Sequence, residues 1–285
     1  MNYRRIHKTS YVYLKRSIFW RKNSQPYISG DVFADNSDLN FYSPLLRGRH
    51  PTPEAVRNAR VIFCPSHRLE NLLDDYGSMI SAKVLILGNS DRDFNSFEFR
   101  LPKSIKMVFA QNLNFLHKSI RLLPIGIENL RLGVNGTPWL FRDGQITREK
   151  LNQILVGPFS FTHNERAEFR TLQNSDWLKI VEDRMSPLQY AKYSSRFCYI
   201  ASPRGNGLDT HRFWEALYRG SIPIVKRNNW SQMIADLDIP LKAVEIYSTD
   251  VLSKIALETN FSNHHPKSTK SLWWPFWKEE IRKII

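Results

Sequence analysis

Two periodicities alternate along the chain. Short continuous apolar runs are separated by stretches whose apolar residues return every third or fourth position, and that alternation predicts an α/β protein with largely parallel strands. In the first half, 59–64 and 83–88 read as buried strands, 106–110 and 121–125 as shorter ones, and 69–76 as a helix. The second half predicts strands at 153–159, 177–181, 196–201, 222–225 and 243–247. Helices fall between and after them, at 164–172, 187–194, 210–219, 230–237, 250–259 and 272–284. Gly133, Gly136, Pro138 and Gly144 mark 129–150 as an irregular connection, which places a domain boundary there: 1–145 and 146–285. The rings of Trp273, Trp274, Phe276 and Trp277 read as packing from a C-terminal helix laid across both domains.

The densest candidate chemistry is the run Ser202-Pro-Arg-Gly-Asn-Gly-Leu-Asp-Thr-His-Arg-Phe-Trp-Glu-Ala-Leu217, followed by Gly220 and Ile222-Pro-Ile-Val225. Physically it is a buried strand, a glycine loop, a helix and a second buried strand. Gly205 and Gly207 allow backbone to approach a ligand closely, and Asp209 or Thr210 can cap the helix. A loop after a parallel strand that feeds a helix N-terminus is an anion site. Arg204 and Arg212 can add charge-assisted hydrogen bonds to a diphosphate. His211 and Glu215 are four apart, hence on one helical face, where a carboxylate can accept both hydroxyls of a ribose. Neither a Gly-Lys-Ser/Thr nor a Gly-x-Gly-x-x-Gly pattern is present, so the loop is no Walker or dinucleotide fingerprint. The same residues also fit a plain α/β turn, with Glu215 paired to Arg212 or Arg219 and His211 in a capping or core role.

The run Ser202–Val225 resembles the donor-site motif of exostosin-like glycosyltransferases, bacterial surface-polysaccharide relatives above all. The likeness is close over 190–225, looser over Leu123-Pro-Ile-Gly-Ile-Glu-Asn129 and Leu155-Val-Gly-Pro-Phe159, and does not reach the first 50 residues. It implies a GT-B-like fold: two Rossmann-like domains with parallel sheets facing a cleft, the acceptor side at 1–145 and the donor nucleotide at 146–285. It implies inverting, metal-independent transfer from a sugar nucleotide, a UDP-sugar favoured, to a glycan or lipid-linked glycan, with no tightly bound cofactor. On that pattern the donor site is Arg204, Gly205, Asn206, Gly207, Asp209, Thr210, His211, Arg212 and Glu215. Arg204 would hold the phosphates and Glu215 the ribose.

A second signal competes. Asp91 and Asp93 follow a buried strand in an Asp-x-Asp arrangement, by which metal-dependent GT-A transferases hold a divalent ion and the donor diphosphate. In a GT-B frame the same loop borders the cleft, and Asp91, Asp93 or Glu128 is then the candidate to contact the acceptor or deprotonate its hydroxyl. His163 and Glu165 compete for that role. Arg166, just after the strand at 153–159, is a further cleft-edge residue for the phosphates.

Charge adds a partner question. The net charge is +14, and Arg4, Arg5, Lys8, Lys15, Arg16, Arg21 and Lys22 precede the first acid, Asp31. Interleaved aromatics make residues 1–22 a candidate for an anionic membrane surface. Nucleic acid phosphates and a solvated basic edge are the other readings, and nucleic acid is the weaker partner because no recognition motif accompanies the charge. No apolar run reaches the roughly 18 residues of a membrane span, and no secretory signal is visible. Cys64 and Cys198 lie in apolar stretches as buried free thiols, which fits a reducing compartment. The expected location is cytoplasmic, peripheral at the inner face of the membrane if the basic segment binds lipid.

Overall fold

A computed structural model describes residues 24–41, 51–130, 132, 135–142, 150–257 and 269–285. The basic segment 1–22 and the domain boundary at 145 lie outside the described residues. The apolar runs of the first half assemble into a five-stranded parallel sheet in chain order. Its strands are β1 (Leu39–Asn40), β2 (Val61–Pro65), β3 (Val84–Gly88), β4 (Met107–Ala110) and β5 (Ile120–Leu122). In register, Ile62 faces Leu85 and Leu85 faces Val108. Every residue of β2, β3 and β4 is buried, as continuous apolar runs require when helices cover both faces of a parallel sheet. Helices α1 (Gly30–Asp35), α2 (Pro53–Asn58) and α3 (Leu69–Tyr76) accompany them.

The second sheet is also parallel and five-stranded, in the order β10-β9-β8-β6-β7. Its strands are β6 (Leu151–Val156), β7 (Leu178–Ile180), β8 (Phe197–Ala201), β9 (Ile222–Lys226) and β10 (Lys242–Val244). Its helices are α4 (Pro187–Ser194), α5 (His211–Tyr218), α6 (Asn229–Ala235) and α7 (Thr249–Leu257), and α8 (Trp274–Arg282) closes the chain. The chain steps outward from β6 to β7, then crosses to the other side of β6 for β8. The sheet therefore has a topological switch point between β6 and β8, where a crevice opens beyond the strand ends.

Several boundaries differ from the sequence pattern for local reasons. The run at 153–159 leaves the sheet at Val156, because Gly157 turns left-handed (φ +81°) and Pro158 has no N–H to pair. The segment expected as a helix at 164–172 is a 3₁₀ turn over Asn164–Thr171 that buries only Phe169, so no apolar stripe rewards a full α-helix. Elements α1, α2 and β1 were not predicted. Helix α1 is held by the Ser29 side chain, which accepts from Val32 N, and by burial of Val32, Phe33 and Ala34.

The C-terminal tail meets both halves of the chain. Trp274, Trp277 and Ile281 pack in the apolar layer of the first sheet with Phe33, Val61 and Val84. The Phe33 ring lies 5.4 Å from Trp274 and 6.3 Å from Trp277. Arg121 pairs with Glu280 at 3.1 Å. At its start the tail also meets the second half, where Tyr218 donates to Leu272 O at 2.6 Å. The tryptophans thus pack the two halves together, and 269–285 belong as much to the first sheet as to the second. Among the described residues no helix is long and apolar enough to cross a membrane.

Candidate functional site

The loops after β3, β5, β6 and β8 converge on one cavity of about 660 Å³, walled by both halves of the chain. Its floor is Gly205, Asn206, Gly207, Asp209 and Thr210 with the start of α5. The Gly-x-Gly pair serves contact with neighbouring parts of the chain. A Cβ on Gly207 would lie 2.9 Å from the Asn112 amide, and one on Gly205 would lie 2.9 Å from Arg166 Nη2. Asn112 uses that closeness: its Oδ1 accepts from Asp209 N at 2.8 Å and its Nδ2 donates to Ser90 O at 2.9 Å.

Asp209 is not an exposed cap. It is buried, and its carboxylate accepts from Ile125 N and from Trp214 Nε1, both at 2.8 Å. Burial pushes its carboxyl up to about 7, while bonds from Ile125, Trp214 and the Thr210 backbone pull the other way. Thr210 occupies the N-cap position of α5, yet its side chain makes no capping bond. Its Oγ1 is shielded from solvent and has no partner among the described residues.

Arg204 departs from its expected place. It is not part of the cavity wall; its Nη2 meets Asp93 Oδ2 at 2.5 Å. The other oxygen of Asp93 accepts from Leu208 N at 3.0 Å, and Asp91 Oδ2 accepts from Asn206 Nδ2 at 3.3 Å. Glu165 Oε2 accepts from Arg204 N at 3.3 Å. The Asp-x-Asp pair therefore braces the glycine loop from across the cleft, because its lone pairs meet the donors of that loop. A cation at Asp93 would compete with the Arg204 guanidinium. Among the described residues no group of three or more His, Cys, Asp or Glu is placed to hold a metal ion.

Two arginines do line the cavity, Arg166 and Arg212. Arg212 donates to Gly157 O at 3.0 Å and Pro158 O at 2.7 Å, and lies 4.9 Å over the Phe159 ring and 5.0 Å over Tyr190. Arg166 donates to Arg204 O at 2.9 Å and Ser160 O at 2.5 Å, and lies 5.6 Å over the same Phe159 ring. Burial, and then the neighbouring Arg212 charge, lower the Arg166 pKa. Two partly desolvated guanidiniums that repel one another favour an anion between them.

Glu215 also lines the cavity, and its Oε2 pairs at 3.2 Å with Arg219, a buried partner one helical turn on. One turn earlier, His211 Nδ1 sits 2.8 Å from Gly126 O. A carbonyl only accepts, so Nδ1 is the donor of this bond. Glu128 faces this pair. Burial raises its pKa foremost and Glu215 raises it further, while His211 and Asn135 oppose the shift. Its Oε2 has no hydrogen-bond partner among the described residues. His163 and Glu165 stand outside the wall, and His163 instead accepts from Glu165 N at 3.2 Å to start its turn.

Of the expected residues, the fold brings Asp91, Glu128, Arg166, Gly205, Asn206, Gly207, Asp209, Thr210, His211, Arg212 and Glu215 to one cavity. Asn112 and Tyr190 were given no role from sequence, whereas Arg219, one of the two partners read for Glu215, is the one that pairs with it. Asn112 carried one readable signal, its place just after an apolar strand, where a left-handed turn (φ +56°) suits asparagine. No family model and no curated protein matches the chain.

Proposed function

We propose that the chain is a sugar-nucleotide-dependent glycosyltransferase of GT-B type, moving a sugar from a nucleoside diphosphate to an acceptor hydroxyl. One observation carries this reading. The cavity at the β6/β8 switch point combines a paired-guanidinium wall, Arg166 and Arg212, with carboxylates on the neighbouring face, Glu128 and Glu215. A diphosphate suits the first and sugar hydroxyls the second, and the volume, about 660 Å³, falls within the range of small-molecule sites. The N-terminus of α5 opens on the same space and adds its unpaired N–H groups.

The diphosphate then rests on Arg166, Arg212 and the backbone of 205–207. Arg204 acts at one remove, by holding that loop against Asp93. Tyr190, with Pro158 beside it, offers an apolar wall to the nucleobase, a UDP-sugar being favoured, and Glu215 reaches the ribose. Stabilising the departing diphosphate and holding the reactants in line supply the rate enhancement. The acceptor is a glycan or lipid-linked glycan, and the protein works at the inner face of a membrane.

The test is a thermal-shift screen with UDP, GDP, dTDP and CMP and their sugars, with and without EDTA. Stabilisation by one nucleotide class, unaffected by EDTA and reduced about tenfold or more in affinity by Arg166→Ala or Arg212→Ala, is expected. Stabilisation abolished by EDTA would favour a metal-dependent site at Asp91 and Asp93. Silence with every nucleotide, joined to steeply salt-dependent binding of RNA or DNA, would replace the reading with a nucleic-acid one.

A further inference from the structure

Two polar atoms in the cavity wall are left without a partner among the described residues. Glu128 Oε2 and Thr210 Oγ1 are both shielded from solvent and without a partner among the described residues. Leaving a buried polar group unpaired is costly, and such groups persist in native structures where something else satisfies them. The two come from opposite halves of the molecule: Glu128 from the segment after β5, Thr210 from the cap of α5. Both line the cavity.

The other acidic groups around the loop are already engaged. Asp93 accepts from Arg204 and from Leu208 N, and Asp91 from Asn206. Glu165 accepts from Arg204 N, Glu215 pairs with Arg219, and Asp209 receives Ile125 N and Trp214 Nε1. Glu128 alone of these has a carboxylate oxygen that is both shielded from solvent and without a partner among the described residues. Asn135 steadies the same carboxyl through its backbone and side chain, which fixes its position while leaving Oε2 open.

From this geometry we infer that Glu128 is the general base for the attacking hydroxyl, with Thr210 Oγ1 holding that hydroxyl in place. The inference rests on the glycosyltransferase reading and names the residue that does its proton transfer. In the step, Glu128 Oε2 takes the proton of the acceptor O–H as the oxygen bonds to the anomeric carbon. The bond from that carbon to the β-phosphate oxygen breaks, and the nucleoside diphosphate leaves with the electron pair. One proton ends on Glu128, one glycosidic bond replaces one sugar–phosphate bond, and no oxidant or metal enters the balance. The groups facing Glu128 support this direction of transfer. Burial and the Glu215 charge raise its affinity for a proton, whereas His211 opposes them, so the carboxylate is more basic than an exposed one.

The experiment uses the full chain, UDP as the binding probe, and release of UDP from UDP-glucose, UDP-galactose and UDP-N-acetylglucosamine with water as acceptor. Calorimetry with UDP reads the donor site; UDP release at saturating donor reads the chemistry. Glu128→Gln is expected to bind UDP within about threefold of wild type while kcat falls about 10²–10⁴-fold. The acidic limb of the kcat profile should vanish with it. Glu128→Ala should regain turnover in azide, an anion that attacks without losing a proton, and should yield a glycosyl azide of inverted configuration. Thr210→Val should lower kcat more than it weakens UDP. Full kcat and an unchanged pH profile in Glu128→Gln, or no azide product from Glu128→Ala, would overturn the assignment while leaving the donor site intact. Failure of the wild-type protein to bind any nucleotide would overturn the functional reading, and this assignment with it.

Discussion

Asp209 makes the sharpest prediction, because two effects on one carboxylate oppose each other and the structure says which wins. Burial raises its pKa from the ordinary 3.8 to about 7, against three N–H donors that favour the charged form. Between those values the folded protein binds a proton that the unfolded chain has released. Stability therefore falls as pH rises through that window, by at most about 1.4 kcal/mol per pH unit and roughly 4 kcal/mol in all. Below pH 4 both states hold the proton and above pH 7 neither does, so the contribution is level at either end. Asp209→Asn removes the titration and keeps the shape. Its single side-chain oxygen can serve Ile125 N or Trp214 Nε1 but not both, a pH-independent cost of about 1–3 kcal/mol. The assay is urea unfolding of both proteins from pH 4 to pH 8, with midpoints compared at equal m-values. Wild type minus variant should fall with rising pH and flatten above pH 7. A flat or rising difference would refute the reasoning, since it would mean that the three donors outweigh burial and hold the carboxylate ionised throughout.

Other variants test separate links. Glu215→Ala should lower stability by about 3–5 kcal/mol, because it strands the buried Arg219 charge; Glu215→Gln should cost clearly less in the same denaturation assay. Gly207→Ala puts a methyl group against the Asn112 amide, which is held in place from both sides, and should destabilise by about 1–3 kcal/mol; Gly205→Ala meets Nη2 at the far end of the long Arg166 side chain, which can shift by a few tenths of an ångström, and should cost less. Trp277→Ala removes a buried ring and its 2.8 Å bond to Ser271 O, so a loss of about 3–5 kcal/mol is expected. A loss below 1 kcal/mol would mean that α8 is not needed on the first sheet.

Much of the architecture was legible because parallel strands buried on both faces leave an unbroken apolar record. The runs around β2, β3, β4, β8 and β9 read as strands for that reason, and α3, α4 and α5 as helices from their spacing. The loop from Arg204 to Thr210 was legible as a candidate site because its glycines, arginines and a helix start stand together at the end of a buried strand. Short elements without that record, α1, α2 and β1, were not: six residues that touch a core, or two that extend a sheet, look like loop until their partners are known. Sequence could place Arg204, Asp93 and Glu128 near one cleft but could not give each a duty, since a charge takes its role from whichever charge it meets. Only the folded chain pairs Arg204 with Asp93, 111 residues apart, and turns Arg166 and Arg212 to the cavity instead. The same holds for Asp209, a cap by its position and a buried clamp by its contacts. Local pattern determines which elements form, because it acts over a few bonds. Which polar groups are left for chemistry is decided by what remains unpaired after distant segments have met.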